Sequence, residues 1–376
     1  MASVSFEGVQ KAFGTLTVVR DISLDIGDGD FVCLLGPSGC GKTTTLRMVA
    51  GLEQPTAGRI LIGGADVTHK PPKDRNLSMV FQDYALYPHM SLGQNIGYPL
   101  KVRGAPVEAR RGRTQEVADI LQIGHLLDRL PSQISGGQQQ RASLARALVH
   151  PSQVYLFDEP LSNLDAKLRL EARAFLNHLQ RDIGMTAVYV THDQAEAMAL
   201  ATRIAVMEAG EVVQYAPPLE VYRRPATTFV AGFVGNPPMN LVPAEAVLRD
   251  GAAILVAEGL QSPPLPLWDA LARAIERKGR VTLGIRPEHL RIAGEEPGWR
   301  LSGELFANEG MGPESLVTML MSGDRRVTAR IFGDDPIQLG RDVQLGFRPE
   351  DAVMFDSEGR RILGANEGPA AEEGAR

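Results

Sequence analysis

Residues 1 to about 230 alternate short runs of β-branched and aromatic residues with longer stretches in which apolar residues recur at helical spacing. The short runs are typical of strands, and the longer stretches are typical of amphipathic helices. Their alternation predicts an α/β domain with a largely parallel sheet, because parallel strands are joined by helical crossovers. The predicted strands span residues 4–6, 31–35, 154–157, 187–190 and 204–207.

Two of the helical stretches have clear periodicity. Residues 138–149 predict one helix, and residues 165–183 predict a longer one with a continuous apolar face. We expect that face to lie in the core without any ligand role. It consists of Leu168, Ala172, Phe175, Leu176, Leu179 and Ile183.

The composition changes after the α/β pattern ends. Proline-rich connections at residues 216–219 and 235–239 mark the passage to a second domain, and short strands with turns follow from about residue 240. We predict a first domain over residues 1–235, with a helical subdomain over approximately 85–150, and a β-barrel domain over 236–363. Residues 364–376, rich in Gly, Ala and Glu, predict a disordered tail.

The second domain contains an internal repeat. Residues 283–289 read Leu-Gly-Ile-Arg-Pro-Glu-His, and residues 345–351 read Leu-Gly-Phe-Arg-Pro-Glu-Asp, an offset of 62 (346 − 284 = 62). Two related β units packed into one small barrel would produce this pattern.

Length and composition fit a two-domain globular protein. At 376 residues the chain exceeds the size of a single core, and no apolar run approaches the roughly 20 residues of a membrane-spanning helix. The N-terminus lacks a signal-peptide pattern, so we expect a cytosolic chain that does not itself cross a membrane. A net charge of −6 favours no nucleic-acid partner. Cys33 and Cys40 are expected to be reduced thiols, since a disulfide would distort the strand and loop that hold them.

A glycine-rich loop follows the predicted strand at residues 31–35 and precedes a helical run. This context makes it a Walker A phosphate loop, in which loop amides hold phosphate oxygens, Lys42 reaches the β- and γ-phosphates and Thr43 binds Mg²⁺. The residues predicted to bind nucleotide here are Gly36, Pro37, Ser38, Gly39, Cys40, Gly41, Lys42, Thr43 and Thr44.

A second glycine-rich segment, Ile134 to Gln138, lies at the start of the helical stretch before residue 149. Ser135, Gly136 and Gly137 would present backbone N–H groups at the positive end of that helix, which favours an anion. Two phosphate sites with one Walker A loop indicate that each is half of a composite site. We therefore expect ATP to be sandwiched between two copies of the domain.

Polar residues follow three further strands. Asp158 and Glu159 end the strand at 154–157, where Asp158 would support magnesium and Glu159 would orient or deprotonate the attacking water. The alternative for this pair is a solvated strand end. His192, after the strand at 187–190, is interpreted as a γ-phosphate sensor. Gln82 also follows an apolar strand, which is weak evidence on its own.

The order of these motifs resembles that of the ATP-binding cassette (ABC) family. The resemblance implies that Gln82 is the Q-loop glutamine, 134–138 the signature motif, 162–165 the D-loop with Asp165, and His192 the switch histidine. Gln82 then joins Thr43 and Asp158 as a Mg²⁺ ligand, and Glu159, His192, Gln82 and Lys42 form the catalytic set. Ile134 stands where the family usually has leucine.

The resemblance also implies that Phe13 stacks on adenine, a contact that tolerates any base and so leaves GTP open beside ATP. The alternative for Phe13 is an aromatic side chain buried in a strand.

Along nearly its whole length the chain resembles ATPase subunits of bacterial importers, in particular the maltose-type group that handles sugars and glycerol phosphates. Residues 80–90, 158–165, 235–240 and 284–289 carry this resemblance. It implies an OB-like (TOBE/MOP-type) C-terminal barrel, a second identical or paralogous subunit, two transmembrane permease subunits and, indirectly, a solute-binding protein. The expected location is peripheral, on the cytoplasmic face of the inner membrane.

Three alternatives stay open on the sequence. The cargo is a polyamine, iron or another non-sugar solute in one of them. In the second, Arg286 and Arg348 of the repeat bind an anion rather than pairing with Glu288, Glu350 or turn carbonyls. In the third, the aromatic segment after Gln82 belongs to the core rather than to a docking groove for a membrane subunit; its apolar residues are Tyr84, Leu86, Tyr87 and Met90.

Overall fold

The computed structural model describes residues 1–162, 164–265, 269–276, 279–292, 299–333 and 340–362. It divides the chain into two compact units, Met1–Leu219 and Glu220–Arg376. The domain limits predicted from the sequence, with a boundary between 235 and 236, stay a prediction. The predicted tail at 364–376 lies outside the described residues.

The first unit has the predicted α/β architecture. Its helices are α1 (Lys42–Ala50), α2 (Leu92–Val102), α3 (Val107–Ile120), α4 (Gly136–Leu148), α5 (Ala166–Ile183) and α6 (Gln194–Leu200), and α7 (Pro218–Arg223) spans its end. Its strands are β1 (Val4–Phe13), β2 (Leu16–Ile26), β3 (Phe31–Leu35), β4 (Ala57–Ile62), β5 (Ala65–Asp66), β6 (Leu77–Val80), β7 (Val154–Asp158), β8 (Ala187–Thr191), β9 (Arg203–Glu208) and β10 (Glu211–Ala216).

The central sheet has the strand order β10-β9-β3-β8-β7-β6, and all of its neighbouring pairs except β10–β9 are parallel. β3, β7 and β8 are buried along their whole length, which explains why they read as continuous apolar runs. On one face the rings of Phe31, Phe157 and Tyr189 pack together at centroid distances of 5.6–6.2 Å. The carboxyl ends of β6, β7, β8 and β3 therefore lie side by side at one edge.

A second, antiparallel sheet was not predicted. Its order is β2-β1-β4-β5, and the register between β1 and β2 shifts near Phe6, Val9 and Lys11. Buried residues of both sheets, such as Val9 and Leu34, belong to one hydrophobic cluster.

The expectation for the apolar face of α5 is wrong in extent. Within α5 only Leu176 is buried, and Ile183 is 42% exposed. Phe175, Leu179 and Ile183 instead line an apolar cavity of ≈ 180 Å³. Helical periodicity shows that a helix is amphipathic, but it does not show how completely a neighbour covers the apolar stripe.

The second unit is built mainly of antiparallel strands, accompanied by α8 (Thr228–Phe233) and α9 (Asp269–Glu276). One sheet has the order β12-β11-β14-β20-β21, and the other has β15-β19-β16-β17-β18 with β13 beside β16. The strands are β11 (Asn240–Arg249), β12 (Ala252–Val256), β13 (Leu260–Gln261), β14 (Arg280–Ile285), β15 (Arg291–Ile292), β16 (Trp299–Gly310), β17 (Glu314–Met321), β18 (Arg325–Phe332), β19 (Asp342–Phe347), β20 (Ala352–Phe355) and β21 (Arg361–Ile362).

The two sheets share one hydrophobic core, to which both Leu283 and Leu345 belong. The buried side chain of Asn240 also joins them. Its amide nitrogen donates to the carbonyl oxygens of Ile285 and Thr328 at 3.1 and 2.8 Å, and its oxygen accepts from the Thr328 N–H at 2.8 Å.

The sequence repeat is a structural repeat with exchanged strands. In each copy a strand, β14 or β19, leads through an arginine into a 3₁₀ turn and then into a short strand, β15 or β20. β20 pairs with β14, whereas β15 pairs with β19. Gly284 lies opposite Val353 and Gly346 lies opposite Arg291, so the registers match under the same offset (353 − 291 = 62). Each copy thus completes the sheet of the other.

None of the described helices is long and apolar enough to cross a membrane.

Candidate nucleotide site

The predicted phosphate loop connects β3 to the first turn of α1. Gly41 precedes the helix with φ 102°, in the left-handed region that favours glycine. A Cβ on Gly36 would overlap the carbonyl oxygen of Met207 and approach Cys40 Sγ to 2.7 Å. The loop backbone is therefore tightly packed from behind, and its amides lie at the positive end of a helix. This geometry suits phosphate oxygens.

Lys42 lies against the inner side of this loop. Its side chain is nearly buried, and its ammonium donates to the carbonyl oxygens of Gly36 and Pro37 at 2.7 and 2.9 Å. Cys40 Sγ is 3.9 Å from the same nitrogen. Burial raises the pKa of the Cys40 thiol while the nearby ammonium lowers it, and both cysteines are free and buried. A structural role for the thiols agrees with this environment.

Thr43 and Asp158 meet beside the loop. The Thr43 hydroxyl donates to Asp158 Oδ1 at 3.2 Å, and Asp158 is only 4% exposed. Burial raises the pKa of Asp158, although the Thr43 hydrogen bond and Arg47 lower it. The described residues contain no group of three or more His, Cys, Asp or Glu side chains placed to hold a metal. Mg²⁺ needs no such group, because it keeps several waters and takes one or two carboxylates plus phosphate oxygens. Thr43 and Asp158 fit it.

Glu159 is the meeting point of three strand ends. It has φ 45°, and its N–H donates to the Val190 carbonyl oxygen at 3.0 Å. Its Oε2 lies 3.1 Å from His192 Nδ1 and accepts from Gln82 Nε2 at 3.3 Å. The three side chains come from the ends of β7, β8 and β6, which are neighbours in the sheet. A solvated strand end without partners does not describe Glu159, whereas a held carboxylate beside a phosphate loop does.

The predicted signature segment lies at the start of α4, which begins at Gly136, two residues earlier than expected. Ser135 caps the helix: its hydroxyl accepts from the Gln138 N–H at 3.4 Å, and the Gln138 side chain accepts from the Ser135 N–H at 2.9 Å. A Cβ on Gly137 would come within 2.8 Å of Leu168 Cδ1, so a larger residue here would displace the end of that side chain. Among the described residues, no hydrogen bond or ion pair joins this segment to the phosphate loop.

Two predicted contact residues have clear local environments. Asp165 caps α5, accepting from the Leu168 N–H at 2.9 Å. Phe13, near the β1–β2 turn, is 47% exposed, with the Lys11 ammonium 4.5 Å from its ring centroid. The alternative of a buried strand aromatic is therefore wrong. An exposed ring can stack on a base.

Sequence reasoning missed a group of charged residues around His192. Asp193 caps α6 by accepting from the Ala195 and Glu196 N–H groups at 2.8 and 3.1 Å, and Glu196 is 3% exposed. Burial raises the pKa of Glu196, against hydrogen bonds from Thr191 and Tyr189 that lower it. Asp followed three residues later by Glu is a helix-start signal that the sequence offered.

The aromatic segment after Gln82 is partly core. Tyr84 is 8% exposed, and Arg146 donates to its carbonyl oxygen at 2.8 Å, whereas Tyr87 is 37% exposed. Met90 lines a groove of ≈ 790 Å³ between α2 and α3, together with Tyr98, Arg110 and Thr114. A groove is therefore present near this segment. Of the predicted apolar residues only Met90 lines it, and most of its other lining residues come later in the chain.

The two arginines of the repeat differ. Arg286 is 2% exposed; its guanidinium donates to the carbonyl oxygens of Val234 and Tyr222 and lies 3.9 Å from the Tyr222 ring centroid. Arg348 is 79% exposed at its side chain and lies 3.9 Å from Glu350. Arg286 therefore holds backbone carbonyls of α7 and of the end of α8 and is not placed to bind an anion.

A glycine-rich loop between a parallel strand and a helix, with an acidic pair at a nearby strand end, defines a P-loop nucleotide-binding protein. Comparison with known proteins narrows this class. The chain matches the family model described as ABC transporter over residues 19–162, the MalK OB fold domain over 235–290 and the TOBE domain over 283–355.

Curated relatives match along almost the whole chain. The sn-glycerol-3-phosphate import ATP-binding protein UgpC of Cereibacter sphaeroides is 46% identical over 96% of this chain and 100% of its own. The sulfoquinovosyl glycerol transport ATP-binding protein SmoE of Agrobacterium fabrum is 44% identical with the same coverage. The chain belongs to the ABC transporter family.

Solved structures agree for the first part of the chain. A dimeric bacterial ABC transporter cassette is 30% identical with a TM-score of 0.54, covering 57% of this chain and 98% of its own. A dimeric post-hydrolysis state of an ATP-binding cassette bound to ADP and Pi is 32% identical with a TM-score of 0.53. The predicted family and fold class, an ABC ATPase followed by OB-like and TOBE regions, are confirmed. The chain is an ABC-type ATPase that binds ATP.

Proposed function

We propose that this chain is the ATP-hydrolysing subunit of a bacterial importer, and that two copies close around two ATP molecules to power uptake of a sugar or sugar-like solute. The observation that carries the proposal is the meeting of Gln82 and His192 on one carboxylate oxygen of Glu159, at the same sheet edge as the phosphate loop. Full-length similarity to import ATP-binding proteins supports the importer.

The first proposed role of the site is nucleotide binding. The loop 36–44 and Lys42 hold the phosphates, while Phe13 stacks on the base. Thr43 and Asp158, with the Gln82 amide oxygen as the third predicted ligand, hold Mg²⁺. When bound, this ion neutralises charge on the β- and γ-phosphate oxygens.

Glu159 is the proposed general base. Water attacks the γ-phosphorus, the bond from that phosphorus to the bridging oxygen breaks, and the water proton passes to the Glu159 carboxylate. ADP and phosphate leave. His192 and Gln82 hold the carboxylate in place, which the 3.1 and 3.3 Å contacts support.

The signature segment is proposed to act on the partner copy. Ser135, Gly136, Gly137 and Gln138 begin α4, and a Cβ on Gly136 would meet nothing within 4 Å. The helix start is thus open to an anion. Asp165, in the D-loop, would lie at the same interface. Because each composite site exists only in the closed dimer, ATP binding favours closure and hydrolysis permits reopening.

In each copy, the groove beside Met90 is the proposed docking site for one of two transmembrane permease subunits. Apolar, basic and neutral polar side chains of α2, α3 and the adjoining segments line it, and a partner helix fits a groove of this kind. A solute-binding protein would act through those subunits. The chain then works at the cytoplasmic face of the membrane. Sugar or glycerol-phosphate cargo follows from the names of the relatives, and a polyamine or iron cargo is the alternative.

Glu159→Gln tests the catalytic assignment. We expect ATP binding to persist, hydrolysis to fall by about 100-fold or more, and a dimer to accumulate with ATP in gel filtration. Glu208→Gln, at the end of strand β9 in the same sheet, is the matched control and should keep wild-type turnover. A Glu159→Gln variant that hydrolyses ATP normally, or stays monomeric with ATP, would contradict the assignment.

Purification of the tagged chain from its native membrane tests the importer. Two polytopic proteins should copurify, and a cognate binding protein loaded with sn-glycerol 3-phosphate or a sugar glycoside should stimulate hydrolysis. Stimulation by spermidine or ferric ion alone would select the alternative cargo. Full ATPase activity with no membrane partner would refute the importer.

A further inference from the structure

A charged network lies directly behind the His192 turn and involves none of the residues assigned above to catalysis. Its centre is Arg169, in the first turns of α5 and 31% exposed at its side chain. The acidic members are Asp193 and Glu196, on and before α6.

The Arg169 guanidinium joins two separate segments. One terminal nitrogen donates to the Leu164 carbonyl oxygen at 3.0 Å, within the D-loop segment. The other donates to Asp193 Oδ2 at 3.3 Å, one residue after His192. Its Nε lies 3.9 Å from Glu196 Oε1. A guanidinium presents donors in a fixed planar fork, so these contacts constrain the two segments relative to each other.

Hydrogen bonds within β8 and α6 also hold the turn that carries His192. The Asp193 N–H donates to the Thr191 hydroxyl at 2.9 Å, and that hydroxyl donates to Glu196 Oε2 at 2.8 Å. The Tyr189 hydroxyl donates to the same oxygen at 2.8 Å. These bonds make β8, the turn and α6 one rigid piece. Arg169 links this piece to the D-loop through Leu164. A second contact with α5 lies further along, where the Asn177 side-chain amide donates to the Ala199 carbonyl oxygen of α6 at 3.1 Å.

The D-loop is in turn tied to the base. The Ser162 hydroxyl donates to the Glu159 carbonyl oxygen at 3.0 Å. Glu159 and His192 are therefore connected directly through their side chains and, in addition, indirectly through Ser162, Leu164 and Arg169.

The geometry points to Arg169 as a positioning residue for ATP hydrolysis: by bridging Leu164 and Asp193 it fixes the His192 imidazole against the Glu159 carboxylate. This inference rests on the proposed function of that pair. Among the described residues, no hydrogen bond or ion pair joins Arg169 to the phosphate loop or to Glu159, so its loss should slow turnover and leave ATP binding intact.

The test compares Arg169→Gln with Arg173→Gln in the full-length chain. Arg173 lies one helical turn further along α5 and is half-buried like Arg169. Among the described residues it makes no ion pair with the His192 turn. We expect Arg169→Gln to lower kcat by about 10- to 100-fold with KM for ATP changed less than about 2-fold, as a small displacement of catalytic groups does. Arg173→Gln should change neither.

Three further variants keep the test independent of folding. Asp193→Asn breaks the same contact from the other side while retaining a good helix cap, so it should reproduce the kcat loss. Combined with Arg169→Gln it should add almost nothing, since both remove one contact. Arg169→Lys keeps the charge but not the fork and should recover only part of the rate.

A spectroscopic readout separates positioning from general damage. In histidine-labelled protein the His192 ring resonance, assigned with His192→Gln, should shift in Arg169→Gln and Asp193→Asn but not in Arg173→Gln. Wild-type kcat in Arg169→Gln, an equal loss in Arg173→Gln, or an unmoved His192 resonance would overturn the inference. Failure of the proposed function would show differently, as normal hydrolysis by Glu159→Gln.

Discussion

The sheet edge of the first unit that carries Glu159 and the Arg-Pro-Glu turns of the second unit both place charged side chains directly after a strand, yet they use the charge in opposite ways. Glu159 meets His192, whose side chain is 64% exposed, so the pair lies at an accessible surface. Arg286 is buried and donates to carbonyl oxygens of its own unit. A charged residue after a strand is thus no sign of a ligand until its hydrogen-bonding groups are traced.

The repeat carries the same contrast inside itself. Arg286 and Arg348 occupy equivalent positions in matching strand and turn geometry, but only the first is buried. The difference follows from the surroundings, because Tyr222 and the end of α8 approach the first copy. Identical motifs therefore need not share a role.

The largest predicted effect is on the free energy of unfolding, and it should differ between substitutions at the two arginines. Arg286→Ala leaves the Val234 and Tyr222 carbonyl oxygens without this donor and should lower the free energy of unfolding by about 3 kcal/mol. Arg348→Ala should change it by less than about 0.5 kcal/mol. Urea unfolding followed by tryptophan fluorescence reports on the second unit, since Trp268 and Trp299 both belong to it. Equal decreases in the free energy of unfolding for Arg286→Ala and Arg348→Ala would contradict the difference drawn between the two arginines.

Asp158→Asn should lower ATP hydrolysis but raise stability, because the buried carboxylate serves function and destabilises the fold. ATP hydrolysis should fall by about 100-fold, because the carboxylate charge beside Thr43 is lost. The melting temperature should nevertheless rise at pH 7. Burial raises the pKa of Asp158 in the fold, so its ionised form destabilises the protein above that pKa. The advantage of Asn should therefore fade as pH falls through the raised pKa and be absent below the ordinary value of 3.8.

Asp66→Asn is a control for which we expect the opposite change in melting temperature. The Thr68 side-chain hydroxyl and backbone N–H lower the pKa of Asp66, so its ionised form stabilises the fold. That variant should melt slightly lower at pH 7, and the deficit should vanish as pH falls through the lowered pKa. A lower melting temperature for Asp158→Asn at neutral pH would contradict the proposed trade-off.

The smallest predicted effect is on KM for ATP. It compares two exposed aromatic side chains, each of which lies near a cationic side chain. Phe13 lies 4.5 Å from Lys11, and Phe306 lies 4.9 Å from Arg326. Phe13→Ala should raise KM for ATP by about 5-fold or more with little change in kcat, because base stacking contributes about 1–3 kcal/mol. Phe306→Ala should leave both constants unchanged, and Phe13→Trp should restore KM. An unchanged KM in Phe13→Ala would remove the base-stacking role.

Sequence patterns predicted the parallel sheet because its central strands are buried on both faces and read as unbroken apolar runs. Apart from residues 4–6 of β1, the β1–β2–β4 sheet was missed because its strands mix exposed and buried positions, and shifts in the β1 register disturb strict alternation. The motif residues of the site could be found because each follows a strand or opens a helix. Arg169 could not, since its role depends on α5 and the His192 turn meeting in space.

The exchanged strands of the repeat constrain how the second unit can be made. A chain synthesised only as far as β15 has β14 without its neighbour β20, so one edge of that sheet stays open. Closure needs Ala352 to reach Ile285, a contact between residues distant in the chain, which makes this unit slow to form by the usual dependence on topology. During synthesis, the first unit can therefore be folded while the second still exposes a strand edge that chaperones would have to shield.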